Sequence, residues 1–126
     1  ASPGGRRHHA RTERPSAASA SIVRTGHSVA GGAFPANWPA LREDAATWLV
    51  QHGLTLWGVD APSVDRRTST ALPVHNAIFG GGAFVLENLA LDAVPVGRYE
   101  LLAQPLAVHG ADAAPVRALL RAFREA

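Results

Sequence analysis

The sequence predicts an α/β protein with a mixed β-sheet and a few packed helices, and three observations carry that expectation. A stretch with helical spacing, from about Pro39 to Gln51, runs directly into the nearly continuous apolar segment Leu54-Thr-Leu-Trp-Gly-Val-Asp60. A second short helical segment over 72–79 is followed by the mostly apolar Ala83-Phe-Val-Leu-Glu-Asn88. Helix alternating with strand marks α/β architecture, and strands without polar alternation are expected to be buried on both faces. The length, 126 residues, suits one domain around one core rather than two.

Residues 1–19, ASPGGRRHHARTERPSAAS, hold no aliphatic side chain larger than Ala or Pro. Such a segment has almost nothing to bury against its ordering entropy, so a disordered or loosely attached tail is expected. At Ser21 the composition changes to Ser-Ile-Val-Arg-Thr, whose β-branched residues suit a short strand ended by Gly26; Gly31, Gly32 and Pro35 continue a loop. In the first helix, Pro39 suits the first turn and Glu43 and Asp44 complement its positive end. Leu41, Ala45, Trp48 and Leu49 are expected to share its buried face, and Gly53 to cap its C-terminus. After the second strand, a turn at Pro95 to Gly97 leads into a third, Tyr99 to Val108, whose Pro105 implies an edge position or a bulge. Val116, Leu119, Leu120 and Phe123 have helical spacing and predict a helix from Pro115 to Arg124.

Composition narrows the function. All twelve positive side chains are Arg, in a chain rich in Ala, Gly and Pro, which points to coding bias rather than a selected phosphate-binding surface; formal net charge is only +2. Cysteine is absent, excluding disulfides and thiolate chemistry. No run approaches the roughly 20 apolar residues of a spanning helix, and residues 1–20 lack the apolar core of a secretory signal. No membrane association and a cytoplasmic location are expected. Met is also absent and the chain begins at Ala1, which predicts a product processed or cut from something longer.

Glu87 is the most informative residue, since a carboxylate within an apolar strand must be neutralised, paired or metal-bound if it points inward. Pointing outward, it is solvated or paired with an Arg. His75 precedes it by twelve residues across the Gly-rich turn, so both can face one cleft and bind a metal, although spacing alone is weak evidence. Asp60, Ser63 and Asp65 follow the C-terminal end of a strand, where α/β sheets tend to place their sites. The alternative is an ordinary turn in which Asp60 and Ser63 bond local amides. Gly80-Gly81-Gly82 lacks the Lys-Ser/Thr and the strand-before, helix-after setting of a P-loop and reads as a tight turn. His8 and His9 belong to the tail, and without interleaved aromatics they do not make a nucleic-acid site. His27, His52 and His109 lie near glycines on loops or helix ends, with no Ser or Cys nucleophile at an interpretable spacing.

Taken together, Arg24-Thr-Gly-His-Ser28, Trp57-Gly-Val-Asp-Ala-Pro-Ser-Val-Asp65, His75, Leu86-Glu-Asn-Leu89 and Tyr99-Glu-Leu-Leu-Ala-Gln-Pro-Leu106 resemble, in order and spacing, the second half of the kynurenine formamidase (arylformamidase) and cyclase family. The resemblance covers about residues 20–120. It implies a swivelling β/β/α arrangement, and it makes residues 20–126 the C-terminal part of such a domain. It implies that His75 and Glu87 match the late His and Glu of a two-metal site, with Asp60 and Ser63 supporting site or substrate. The metal, zinc or manganese, would acidify bound water for attack on a small-molecule amide, converting N-formylkynurenine to kynurenine and formate in tryptophan catabolism. The family's earlier His-x-Gly-Thr-His-x-Asp-x-Pro-x-His run, which supplies most metal ligands and the catalytic His, is missing here, and His27 stands where many relatives carry Trp. The expectation is therefore an incomplete site with no catalytic residue of its own, completed by an N-terminal half, and a chain that self-associates unless that half is present. A non-catalytic assembly module of the same family is the alternative. A nucleic-acid binder acting through the Arg-rich tail ranks behind both.

Overall fold

The computed structural model describes residues 20–123. Three short strands, β1 (Ala20–Val23), β2 (Leu56–Val59) and β3 (Phe84–Leu86), form a parallel sheet in the order β1-β2-β3. The register pairs Val23 with Val59 and Gly58 with Leu86, so the C-terminal ends of all three strands lie along one edge. Helices α1 (Glu43–Gln51) and α2 (Pro73–Gly80) supply the connections that parallel strands require. The expected α/β class is what the chain adopts. Its antiparallel pairing lies in a second sheet, a hairpin of β4 (Tyr99–Pro105) and β5 (Val116–Ala122).

The core lies between the helices and one face of the parallel sheet. Ala46 of α1, Val74 and Ile78 of α2, Val59 of β2, and Trp38, Ala61, Val64 and Ala83 from the connections form one buried cluster, with Trp57 and Val85 packed against it. Gly58 faces the other way, and a Cβ there would stand 3.0 Å from Leu89 and 3.1 Å from Ile22, so this strand needs its glycine for close packing.

Local chemistry explains most boundaries. α1 begins at Glu43 rather than near Pro39, with Glu43 and Asp44 in its first turn. Gly53, at φ +95°, takes the left-handed conformation that follows a helix end, and the Gly53 and Leu54 N–H groups bond back to Val50 and Leu49. The buried face of α1 is rotated from expectation: Ala46 is fully buried, whereas Trp48 is 56% exposed and stacks on His52.

The expected C-terminal helix is a strand. Val116, Ala118, Leu120 and Ala122 alternate on one face of β5 and lie opposite Pro105, Ala103, Leu101 and Tyr99 of β4. Residues four apart share a face at both helical and strand periods, so Val116 and Leu120 fit either; the pairing offered by β4 decides. Glu100 and Arg121 form an ion pair at 2.6 Å on the opposite, more polar face. Pro105 ends β4, whose only described strand partner is β5, as an edge position predicts.

Candidate functional site

Asp60 is fully buried just beyond β2, and its carboxylate reaches across to the end of β1. Its Oδ1 accepts the Thr25 N–H at 2.8 Å and the Thr25 hydroxyl at 2.6 Å, and its Oδ2 accepts the Gly26 N–H at 3.0 Å. The carboxylate thereby ties the end of β1 to the end of β2. Burial works against its charge, but the Thr25 hydroxyl and the Thr25 and Gly26 amides outweigh it and hold its pKa below the ordinary aspartate value. Arg24 extends the tie, donating to the carbonyls of Leu91, Asp92 and Val94.

Ser63 does behave as a local turn residue, its Oγ accepting the Asp65 N–H at 3.1 Å. Asp65 is 2% exposed and serves the start of α2. The residue ahead of that helix, Leu72, has no side-chain acceptor and sits at φ +50°. Asp65 fills the gap from a distance: Oδ1 accepts the Val74 N–H at 2.9 Å and Oδ2 the His75 N–H at 3.0 Å, satisfying two donors at a helix start. Its own backbone carbonyl accepts the Trp38 indole N–H at 2.8 Å, which fixes the loop from the other side.

The same Asp65 Oδ2 lies 2.7 Å from His75 Nδ1. On the far side of the imidazole, Nε2 is 3.1 Å from Glu87 Oε2. Glu87 is not within a strand, as the apolar run suggested: β3 stops at Leu86 and Asn88 turns the chain at φ +58°. Beyond the strand end, Glu87 Oε2 also accepts the Val64 N–H at 2.9 Å. Neither pairing to Arg nor full solvation applies, since its partners are His75 and a backbone amide. Burial opposes the Asp65 charge too, but the His75 and Val74 amides and the His75 ring hold its pKa below the ordinary value. An ionised Asp65 requires a proton on Nδ1. Nε2, facing a second carboxylate, then either carries a proton or shares a cation with Glu87, because two bare acceptors at 3.1 Å repel. These donors fit one side of a metal site: a convergent imidazole nitrogen and carboxylate oxygen, with the other ring nitrogen held by a second carboxylate. Among the described residues no group of three or more His, Cys, Asp or Glu is placed to hold a metal ion.

The family model described as "Putative cyclase" matches residues 6–66. The chain is 44% identical over 100 residues to a kynurenine formamidase of Bacillus cereus, and 46% identical over 107 residues to one of Salinibacter ruber. It also superposes on the solved structure of a potential metal-dependent hydrolase with cyclase activity, with a TM-score of 0.59 and 40% identity. Over these matched residues the chain is similar to the cyclase family.

These matches cover 79% and 81% of this chain but only 48% and 50% of the two formamidases, so the chain spans about half the length of the relatives it matches. The solved hydrolase is similar over 64% of this chain and 40% of its own, and a predicted metal-dependent hydrolase from Bacillus stearothermophilus gives a TM-score of 0.58.

Of the residues singled out in the sequence, the fold brings His75, Glu87 and Asp65 into one contact chain and gives Asp60 a supporting task at the same edge of the sheet. His27 is exposed, with Nδ1 3.0 Å from the Thr25 carbonyl; His52 stacks on Trp48 at the end of α1. His109 lies in the exposed connection between β4 and β5, and His8 and His9 lie outside the described residues, as does the whole 1–19 segment. No described helix is long and apolar enough to cross a membrane.

The depressed Asp60 pKa makes a stability prediction. A carboxylate with a folded pKa below its unfolded value, about 3.8, contributes stability that is complete above that value and is lost as pH falls through the folded pKa. Thermal unfolding from pH 7 to pH 2 is expected to show a Tm that falls steeply only below about pH 4. In Asp60→Asn the starting Tm should be lower and the acid-dependent drop smaller; an unchanged acid limb would rule Asp60 out as its source.

Proposed function

We propose that this chain carries part of the catalytic site of a metal-dependent amide hydrolase of the arylformamidase type. The observation that carries the reading is the convergence of His75 Nε2 and Glu87 Oε2 at 3.1 Å, with Nδ1 held by Asp65, in a chain 44% and 46% identical to kynurenine formamidases over 100 and 107 residues. His75 and Glu87 would hold zinc or manganese. The metal, when bound, supplies Lewis acidity that acidifies water and polarises a carbonyl. The chain's own residues do the rest: Asp65 fixes the ring and its tautomer, the Val64 amide steadies Glu87, and Ser63 and Asp60 brace the loops at the same sheet edge. The overall reaction adds water across the formyl C–N bond of N-formylkynurenine, giving formate and the free amine of kynurenine, a step of tryptophan catabolism that we place in the cytoplasm.

The test is calorimetric titration of zinc and manganese into the chain and into a His75→Ala, Glu87→Ala double variant, with N-formylkynurenine hydrolysis followed in the same samples. Binding by the chain that disappears in the variant is the expected result. No binding and no turnover would replace this reading with that of a non-catalytic assembly module, which the limited donor set of the described residues also fits.

A further inference from the structure

A cleft of about 440 Å³ lies where the starts of α1 and α2 meet the loop that follows Asp65. Its volume falls in the range of roughly 300–1,000 Å³ typical of small-ligand pockets, and neither His75 nor Glu87 lines it. Leu41, Pro73 and Val74 give it an apolar base, with Val74 only 2% exposed. Ser69, Arg66 and Glu43 stand around that base. The Ser69 Oγ accepts the Leu72 N–H at 3.2 Å, and its hydroxyl proton is still available to donate. Arg42, a second cation lining the cleft, is already paired with Asp44 at 2.7 Å.

Arg66 and Glu43 differ from that pair. Both are exposed, and among the described residues neither side chain has a hydrogen-bond or ion-pair partner. A guanidinium and a carboxylate thus line one cleft beside apolar side chains without closing on each other. An inorganic anion would satisfy Arg66 and be opposed by Glu43, and an uncharged apolar ligand would use neither. A ligand that satisfies all of these groups carries an anion, a cation and an apolar branch within a few atoms of one another.

We propose that this cleft binds a free α-amino acid with an apolar side chain. The ligand carboxylate takes the Arg66 guanidinium and the Ser69 hydroxyl, the ammonium takes Glu43, and the side chain covers Leu41, Pro73 and Val74. Charge-assisted hydrogen bonds at both ends set the selectivity. The site adjoins Asp65, which holds the Val74 and His75 amides, but it does not depend on a metal at His75 and Glu87.

The experiment titrates L-leucine and L-phenylalanine into the full chain by calorimetry in metal-free buffer, where chelation by the amino acid plays no part, and follows backbone amides by NMR. Saturable binding of at least one is expected, with amide shifts concentrated at Glu43, Ser69 and Val74 and absent from β4 and β5. The analogues 3-phenylpropanoate and 2-phenylethylamine each lack one charge and should bind about tenfold more weakly than L-phenylalanine, or worse. Arg66→Gln and Glu43→Gln, both at exposed positions, should keep the Tm of the parent chain and weaken amino-acid binding about tenfold, whereas Glu87→Gln should leave it unchanged. No saturable binding up to about 10 mM would overturn the proposal. So would binding that Glu87→Gln weakens as much as Arg66→Gln does, or binding indifferent to Glu43→Gln and matched by 3-phenylpropanoate or inorganic phosphate, which marks a plain anion site.

Discussion

Replacing Gly81 by alanine is expected to destabilise the chain by about 2–4 kcal/mol, at or beyond the upper end of what overpacking usually costs. A Cβ at position 81 would lie 1.8 Å from Val50 Cγ1 and 3.0 Å from Val50 Cβ. Val50 belongs to α1 and packs against the core cluster, so it cannot yield without parting the helices. The neighbouring glycines predict different outcomes. Gly80 closes α2, where an added Cβ would meet nothing within 4 Å and φ is not positive, so Gly80→Ala should be neutral or slightly stabilising. Gly82, at φ +78°, has open space but a left-handed backbone, and alanine there should cost about 1 kcal/mol. Thermal unfolding of the three variants checks the ranking, with a Tm drop on the order of 10 °C at position 81. Equal effects at all three would show that the turn, not the Val50 contact, sets the requirement for glycine.

The second large effect belongs to Asp65. Asp65→Ala strands the Val74 and His75 amides at the start of α2 and should cost about 2–3 kcal/mol. Asp65→Asn is more discriminating. The amide can keep one oxygen on a backbone N–H, but its NH₂ group then faces either the other N–H or His75 Nδ1, and cannot accept from both as Oδ2 does. Zinc affinity is expected to fall about 10–100-fold in Asp65→Asn, the usual effect of removing the carboxylate behind a ligating imidazole. Nitrogen NMR of the His75 ring should show the proton leaving Nδ1. Lost stability with unchanged affinity and tautomer would reduce Asp65 to a helix cap.

The α/β class is legible in the sequence because two helices and two apolar strands follow one another with clear breaks, and Gly53 advertises its left-handed turn. Helical spacing misleads at β5 because Val116 and Leu120 satisfy two periods at once, and sequence alone does not reveal that β4 stands ready to pair. Hydrophobicity places Trp48 inward, whereas its ring stacks on His52 at the surface. At the site, His75 and Glu87 are visible through a family resemblance more than through spacing. Asp65 is legible in the sequence as a polar residue beyond a strand's C-terminal end, but not as the partner of His75. One local signal does point to it: a helix opening Leu72-Pro73 has no side-chain cap, so an acceptor elsewhere has to serve its first amides. Asp60 offers no such signal, because its partners Thr25 and Gly26 lie 35 and 34 residues away.

The separation of the strands in sequence also sets the order in which the molecule can assemble. Ala20 finds Leu56, and Leu56 finds Phe84, only after long segments have been drawn closed, whereas Pro105 and Val116 meet across a short connection. Loop closure taxes distant pairings before they return any contact energy, so the hairpin is expected to form early and the parallel sheet late. During synthesis β1 leaves the ribosome first yet must wait for β2, and β2 for β3. Throughout that interval, Ile22, Leu56 and Phe84 stand as unpaired β-forming surface on a nascent chain.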